Sequence, residues 1–369
     1  MKVIFPKQSL LNGINIVLKA VPSKTTMPIL ECILIDATEN NVKLTANDME
    51  LGIETKVEAN IVVKGRVAID AKLLSEIVRK LPESDVSLEV DGDFVVTITC
   101  ENSKFKISGK SGEEFSYLPE IEKDKYICIS QFGLKEVIRQ TIFSIAANEN
   151  NKLMTGELFE VNENMLKVVS LDGHRIAIRN IELKDSYESE KVIVPGKTLG
   201  EISKILSGDK DKDVSIFFSK NHISFEFEDT IVVSRLIEGE YFNIKQMLSS
   251  DYETKITVNK KELQDSIERS TLLIRESDKK PIIINITDAT IELSLNSAIG
   301  SMREEILSRK QGKDIMIGFN PRFLIDALRV IDDEEVNLYM INAKAPCFIK
   351  DDEEKYIYLI LPVNFNSVR

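Results

Sequence analysis

The sequence predicts an α+β chain of three successive repeated domains, each with two helices packed on antiparallel sheet. Three observations carry this expectation. Leucines that open similar apolar stripes recur at a near-constant interval, a short β-rich lead precedes each stripe, and alternating runs with turn signals fill the intervals. Leu10, Leu74, Leu134, Leu199, Leu263 and Leu324 stand 64, 60, 65, 64 and 61 residues apart. Taken in pairs, Leu10 to Leu134 to Leu263 steps by 124 and 129, and Leu74 to Leu199 to Leu324 by 125 and 125. An internally duplicated unit therefore repeats three times. The expected domains are 1–124, 125–250 and 251–369, with boundaries in the charged stretch Glu122 to Lys125 and the polar run Ser249 to Glu253.

Each element has a local reason. The leads are Lys2 to Phe5, Val67 to Ile69, Tyr126 to Ile129, Val192 to Val194, Lys255 to Val258 and Asp314 to Ile317. Behind each lead, helix is expected over 7–19, 72–80, 133–141, 197–204, 260–269 and 321–329. Stripes such as Leu74, Ile77, Val78 and Leu81, or Leu134, Val137, Ile138 and Ile142, commit one face of a helix to a core. Between helices, runs such as Val86 to Val90, Phe94 to Thr99 and Lys104 to Ser108 are joined by Asp91-Gly92 and Glu101-Asn102, which read as hairpin turns.

Composition removes several function classes. A chain of 369 residues that is 43% hydrophobic buries two or three cores and is not disordered. No stretch approaches the roughly 18 apolar residues of a membrane span, and Met1 to Leu10 lacks the apolar centre of a signal peptide, so a cytoplasmic protein is expected. Cys32, Cys100, Cys128 and Cys347 form no CxxC pair and have no ligand-like spacing to His174 or His222; reduced, mostly buried thiols are expected, with no metal and no cofactor. HExxH, GxSxG and GxGxxG are absent. Gly196-Lys197-Thr198 resembles the end of a phosphate loop, but Lys191 stands where that loop needs glycine, leaving a strand-to-helix turn. Asp172-Gly173-His174-Arg175 suggests a carboxylate-histidine pair, yet neither a nucleophile nor a metal set accompanies it, so no catalytic residue is assigned.

The net charge of −12 argues against a polyanion partner unless the bases are gathered locally. They are gathered. The six helical segments sum to +7, which leaves −19 on the remainder of a chain whose total is −12. Such segregation suits a helical surface facing a phosphate backbone, where cations release condensed counterions without reading bases. It is also what solvated helices rich in good helix formers give. Weakly basic helices hold DNA poorly at physiological salt, so a repeat that closes into a ring around the duplex would supply by linkage what affinity does not. On this reading Lys72, Arg79, Lys197, Arg322 and Arg329 are candidate contacts to double-stranded DNA.

Several separated segments point to one family. They are Thr26-Met27-Pro28-Ile29-Leu30, Leu44-Thr45-Ala46-Asn47-Asp48, Phe143-Ser144-Ile145-Ala146, Leu171-Asp172-Gly173-His174-Arg175-Ile176, Ser234-Arg235-Leu236-Ile237-Glu238-Gly239, Phe319-Asn320-Pro321-Arg322-Phe323-Leu324 and Leu361-Pro362-Val363. In order and spacing the chain resembles the bacterial DNA polymerase III beta subunit, the sliding clamps, along essentially its whole length. The resemblance implies a head-to-tail homodimeric ring with helices inside and sheets outside. It implies a non-enzymatic processivity factor that tethers the polymerase III alpha subunit, the clamp loader, other polymerases and repair proteins by short peptide motifs.

Residues matching the family's peptide groove are Met154, Leu171, Gly173, His174, Arg175, Ile176, Phe242, Met247, Pro346, Leu359, Leu361, Pro362 and Val363. Met154, Met247, Leu361 and Val363 suit apolar burial of a partner side chain, and methionine adapts to different peptides. His174 and Arg175 are expected to offer rim donors to peptide carbonyls or carboxylates. Lys24, Asn148 and Lys152 match positions at the family's central hole. The resemblance implies that the strand Lys104 to Ser108 and Leu272-Leu273 are opposing interface faces, where Phe105 and Ile107 are expected to meet Leu272 and Leu273 of a second copy, in keeping with the aggregation hazard of an unpaired sheet edge; the alternative is that all four belong to intradomain cores. A scaffold that binds only proteins, and a hydrolase centred on Asp172 and His174, are the competing readings.

Overall fold

Among the described residues, each α-helix follows a strand directly or after one residue. Strand Lys2–Phe5 precedes α1 (Lys7–Val17), Arg66–Asp70 precedes α2 (Ala71–Lys80), Tyr126–Ser130 precedes α3 (Gln131–Thr141), Arg175–Pro195 precedes α4 (Gly196–Ile205), Thr254–Asn259 precedes α5 (Lys260–Thr271) and Ile315–Phe319 precedes α6 (Pro321–Arg329). At three of these junctions one Asx residue makes the change possible. The side chains of Asp70, Asn259 and Asn320 accept from the backbone N–H of Leu73, Glu262 and Arg322, satisfying donors that the first helical turn leaves free. Pro321 follows at the position where a missing N–H costs nothing, and Arg79 and Lys80 close α2 where its dipole is negative.

The computed structural model describes residues 1–116, 118–147, 151–248, 251–275 and 280–365. Among these, six α-helices lie with three antiparallel sheets, as the α+β expectation requires. By contacts the chain divides into two units, residues 1–132 with 201–236 and residues 133–200 with 237–369. The first holds a five-stranded sheet, in the order Asn60–Val63, Lys2–Phe5, Val86–Val90, Val95–Cys100, Ser103–Ser108. It also holds a nine-stranded sheet in which Leu51–Val57 pairs with Thr230–Arg235. The second holds a ten-stranded sheet in which Arg175–Pro195 pairs with Tyr356–Ile360. The units depart from the sequence thirds because those two pairings join strands of neighbouring repeats.

The predicted stripes are buried. Leu74, Ile77, Val78 and Leu81 are all in the core, as are Leu134, Val137 and Ile138. Ile142 is only half-buried, because α3 stops at Thr141 and a 3-10 turn, Ile142–Ser144, takes over. The hairpin strand expected from Phe94 begins at Val95: Phe94 holds a φ of 58° in the turn, where Asp91 Oδ1 accepts from the N–H groups of Asp93 and Val95. Gly196 opens α4 directly after Pro195, so Gly196-Lys197-Thr198 is the first turn of a helix entered straight from a strand. All four cysteines are free thiols, three of them buried. No helix among the described residues is long and apolar enough to cross a membrane.

Candidate functional site

Most of the candidate groove residues gather in the second unit around one turn. Strand Gly156–Leu171 ends at buried Leu171, and the chain reverses through Asp172, whose Oδ1 accepts from His174 N at 3.0 Å and Arg175 N at 3.2 Å. Gly173 sits at φ 88°, left-handed backbone that favours glycine, with open space where a Cβ would point. The returning strand places Ile176 opposite Leu359, and the segment beyond is tied by Leu361 N donating to His174 O at 2.9 Å and Val363 N to Gly318 O at 2.8 Å. Leu171, Ile176 and Leu359 belong to one buried cluster, against which Met154, Phe242, Leu153, Ile237 and Leu248 pack half-exposed. Met247 is 52% exposed, Leu361 37% and Val363 37%, while Pro346 is half-buried ahead of strand Cys347–Lys350. Exposed apolar side chains beside a half-covered apolar cluster form a surface that gains by accepting partner side chains.

One expected role is corrected. Arg175 does not stand at a rim offering donors; its side chain is only 10% exposed and already engaged. Nε donates to Asp172 Oδ2 at 2.9 Å, one terminal nitrogen donates to Asp326 Oδ2 at 2.6 Å and the other to the Phe143 carbonyl at 2.6 Å. The guanidinium also lies over the Phe323 and Phe143 rings, 4.6 and 5.4 Å from their centroids. The planar fork matches two carboxylates and a carbonyl, and this fixes the turn. His174 remains exposed, its imidazole stacked on Phe323 at 5.9 Å.

Phe143, Phe323 and Asp326 were not singled out as site residues in the sequence. The first two stand in the quoted family segments, so their neighbourhood was visible; Asp326, inside a helix, gave no signal. Asp172 drew notice beside His174, but its carboxylate serves backbone N–H groups and Arg175.

The candidate DNA contacts are distributed over both units. In the first, Lys24 and, on α2, Lys72 and Arg79 are exposed. In the second, Lys152 is exposed in the 3-10 turn Lys152–Thr155, Lys197 at the start of α4 and Arg322 at the start of α6. Arg329 is exposed at the end of α6 but already pairs with Glu268 at 3.1 Å. That pair is solvent-screened and competes only weakly with a phosphate. Asn148 lies outside the described residues.

The proposed joint residues fall on two surfaces. Ser103–Ser108 is an edge strand, with Phe105 exposed and Ile107 half-buried on one face of the sheet. In the second unit, Leu272 is 78% exposed just after α5, while Leu273 packs partly against that unit's core. No group of three or more His, Cys, Asp or Glu able to hold a metal occurs among the described residues.

Comparison with known proteins places these features in one context. Models of the N-terminal, central and C-terminal domains of the DNA polymerase III beta subunit match residues 1–119, 128–243 and 245–364. The chain is 34% identical over 364 residues to a beta sliding clamp of Staphylococcus epidermidis, covering 96% of each chain. It is 35% identical over 361 residues to that of Staphylococcus aureus, covering 95% of this chain and 96% of the relative. Among solved structures, the DNA polymerase sliding clamp of Bacillus subtilis superposes with a TM-score of 0.96 at 33% identity, covering 99% of this chain and 100% of that one. The beta subunit from the DNA polymerase of Streptococcus pyogenes gives 0.94 at 26%, with the same coverage.

Proposed function

Because the chain belongs to the DNA polymerase III beta subunit family, we propose that two copies close head to tail into a ring on duplex DNA and tether partner proteins through the groove around Arg175. A DNA sliding clamp and processivity factor is the family's function and this chain's. The finer reading is that the three repeats, 1–124, 125–250 and 251–369, turn their helices to the DNA without sequence preference. The tethered proteins are the polymerase III alpha subunit, the clamp loader, other polymerases and repair proteins. The protein works in the cytoplasm, without a cofactor and without catalysing a reaction. The carrying observation is the sign of the six α-helices, which sum to +6 in a chain of −12, with Lys72, Arg79, Lys197 and Arg322 exposed.

Linkage rather than affinity is the test. Loaded protein is expected to stay on closed circular plasmid through a high-salt wash and to leave once the plasmid is cut; equal release from both forms would reject the ring. Phe105→Asp combined with Leu272→Asp is expected to give monomers in sedimentation and to abolish retention. Lys72→Glu combined with Arg322→Glu should flatten the salt dependence of DNA binding by about two counterions, and an unchanged slope removes both helices from the DNA face.

Peptide tethering has its own readout. Met247→Glu places a charge where an apolar side chain is to be buried, a contact worth roughly 1.5 to 3 kcal/mol. The affinity for a fluorescein-labelled polymerase-tail peptide is expected to fall by about 10- to 100-fold in an anisotropy titration. Unaltered affinity takes Met247 out of the groove.

A further inference from the structure

The first unit repeats the turn on which the groove is built. Asp48 Oδ1 accepts from Glu50 N at 3.0 Å and Leu51 N at 2.7 Å, and Asp48 N donates to Leu51 O, as Asp172 does with His174 and Arg175. Met49 holds φ 74° where Gly173 holds 88°. Each turn leads into a strand that pairs with the next repeat, Leu51 opposite Ser234 and Arg175 opposite Ile360. Arg235 thereby takes the place of Leu361, and Val233 that of Leu359. The adjoining strands agree, for His222 lies opposite Arg235 and Cys347 opposite Ile360, so His222 takes the place of Pro346.

A depression of about 90 Å3 occupies this equivalent position, smaller than a cleft that encloses a whole ligand. Met49, Leu118 and Pro119 line it with Leu51 and Val233, so its wall is apolar. Its lip differs from that of the groove. Arg235 is exposed, and among the described residues its guanidinium makes no hydrogen bond or ion pair. Its backbone N–H donates to Glu50 O at 2.8 Å, but the Glu50 carboxylate, also on the lining, is not its partner. Burial, and then the Arg235 charge, hold the His222 imidazole below its ordinary range, leaving Arg235 as the cation of this lip at neutral pH. A free cation beside an apolar wall is complementary to a carboxylate next to an apolar side chain.

We propose that this depression is a second docking cleft, which takes a short partner peptide carrying a carboxylate beside a leucine or phenylalanine. The inference rests on the groove reading for its analogy, while its preference for acid comes from Arg235 alone.

The full chain is titrated with two fluorescein-labelled hexapeptides, Gly-Glu-Asp-Leu-Phe-Glu and its amide counterpart Gly-Gln-Asn-Leu-Phe-Gln. The acidic peptide is expected to bind at two equivalents per chain. Met247→Glu removes one equivalent, and Arg235→Glu weakens the other at least about tenfold; the amide peptide lacks only the Arg235-dependent equivalent. Arg235→Ala, at an exposed site, should repeat the loss with unchanged thermal unfolding. One equivalent abolished by Met247→Glu and untouched by either Arg235 variant overturns the second cleft and keeps the groove. One equivalent lost only with Arg235 keeps the cleft and rejects the groove, and no saturable binding rejects both.

Discussion

Arg175→Ala is expected to lower the unfolding free energy by about 3 to 5 kcal/mol, the scale for breaking a buried pair by removing one partner. The guanidinium answers Asp172, Asp326 and the Phe143 carbonyl together and fills the space between two aromatic rings. Its removal leaves two carboxylates near each other without a cation, together with a void against Phe323. Asp326 is about one third exposed, and water reaching it holds the loss toward the lower figure. Arg175→Lys should recover little, because a single ammonium does not span three acceptors lying in different directions. The same variants should weaken peptide binding under conditions where they remain folded. Ile176, opposite Leu359 and among the proposed groove residues, follows Arg175 directly and moves with the turn. Urea unfolding checks the first claim and anisotropy the second. A loss below about 1 kcal/mol would mean a solvated guanidinium, and the rim role suggested by the sequence would return.

Periodicity made the helices legible and left the sheet joins hidden. The leads and stripes found all six helices to within a few residues, because an apolar stripe and an Asx cap are written locally. The pairings of Leu51–Val57 with Thr230–Arg235 and of Arg175–Pro195 with Tyr356–Ile360 depend on strands more than 150 residues apart, and no local signal records them. The groove followed the same division. Leu171, Ile176 and Leu359, named through the family resemblance, lie in one cluster, but the direction of Arg175 was not written in its own neighbourhood. An arginine beside an exposed histidine reads as surface until Asp326 and Phe143 are brought to it. The counterpart turn at Asp48 was within reach of the sequence, since the repeat arithmetic that paired Leu10 with Leu134 also carries Asp48 onto Asp172. It passed unnoticed because Met49, Glu50 and Leu51 share no side-chain chemistry with Gly173, His174 and Arg175.

Glu157→Gln is expected to stabilise the protein, and to do so in a way that depends on pH. Glu157 is wholly buried on strand Gly156–Leu171, with Oε2 3.0 Å from Thr141 Oγ1 and Oε1 without a partner among the described residues. Thr141 Oγ1 also lies 2.7 Å from the Val137 carbonyl one helical turn back. A hydroxyl has one proton, and if it goes to Val137 then Glu157 must donate, which only the protonated acid does. Burial points the same way, pushing the carboxyl from 4.5 up to about 8. Between those values the folded chain holds a proton that the unfolded chain has released. The stability this group contributes is therefore complete below about pH 4.5, declines by about 1.4 kcal/mol per pH unit, and is gone above about pH 8. Glutamine donates its N–H to Thr141 Oγ1 at every pH and carries no such linkage. Urea unfolding should find variant and parent alike near pH 5, with the variant ahead by on the order of 4 kcal/mol at pH 8. A difference that stays constant across that range would mean that Glu157 is ionised in the folded protein, with water or a cation reaching a carboxylate that the packing around Thr141 encloses.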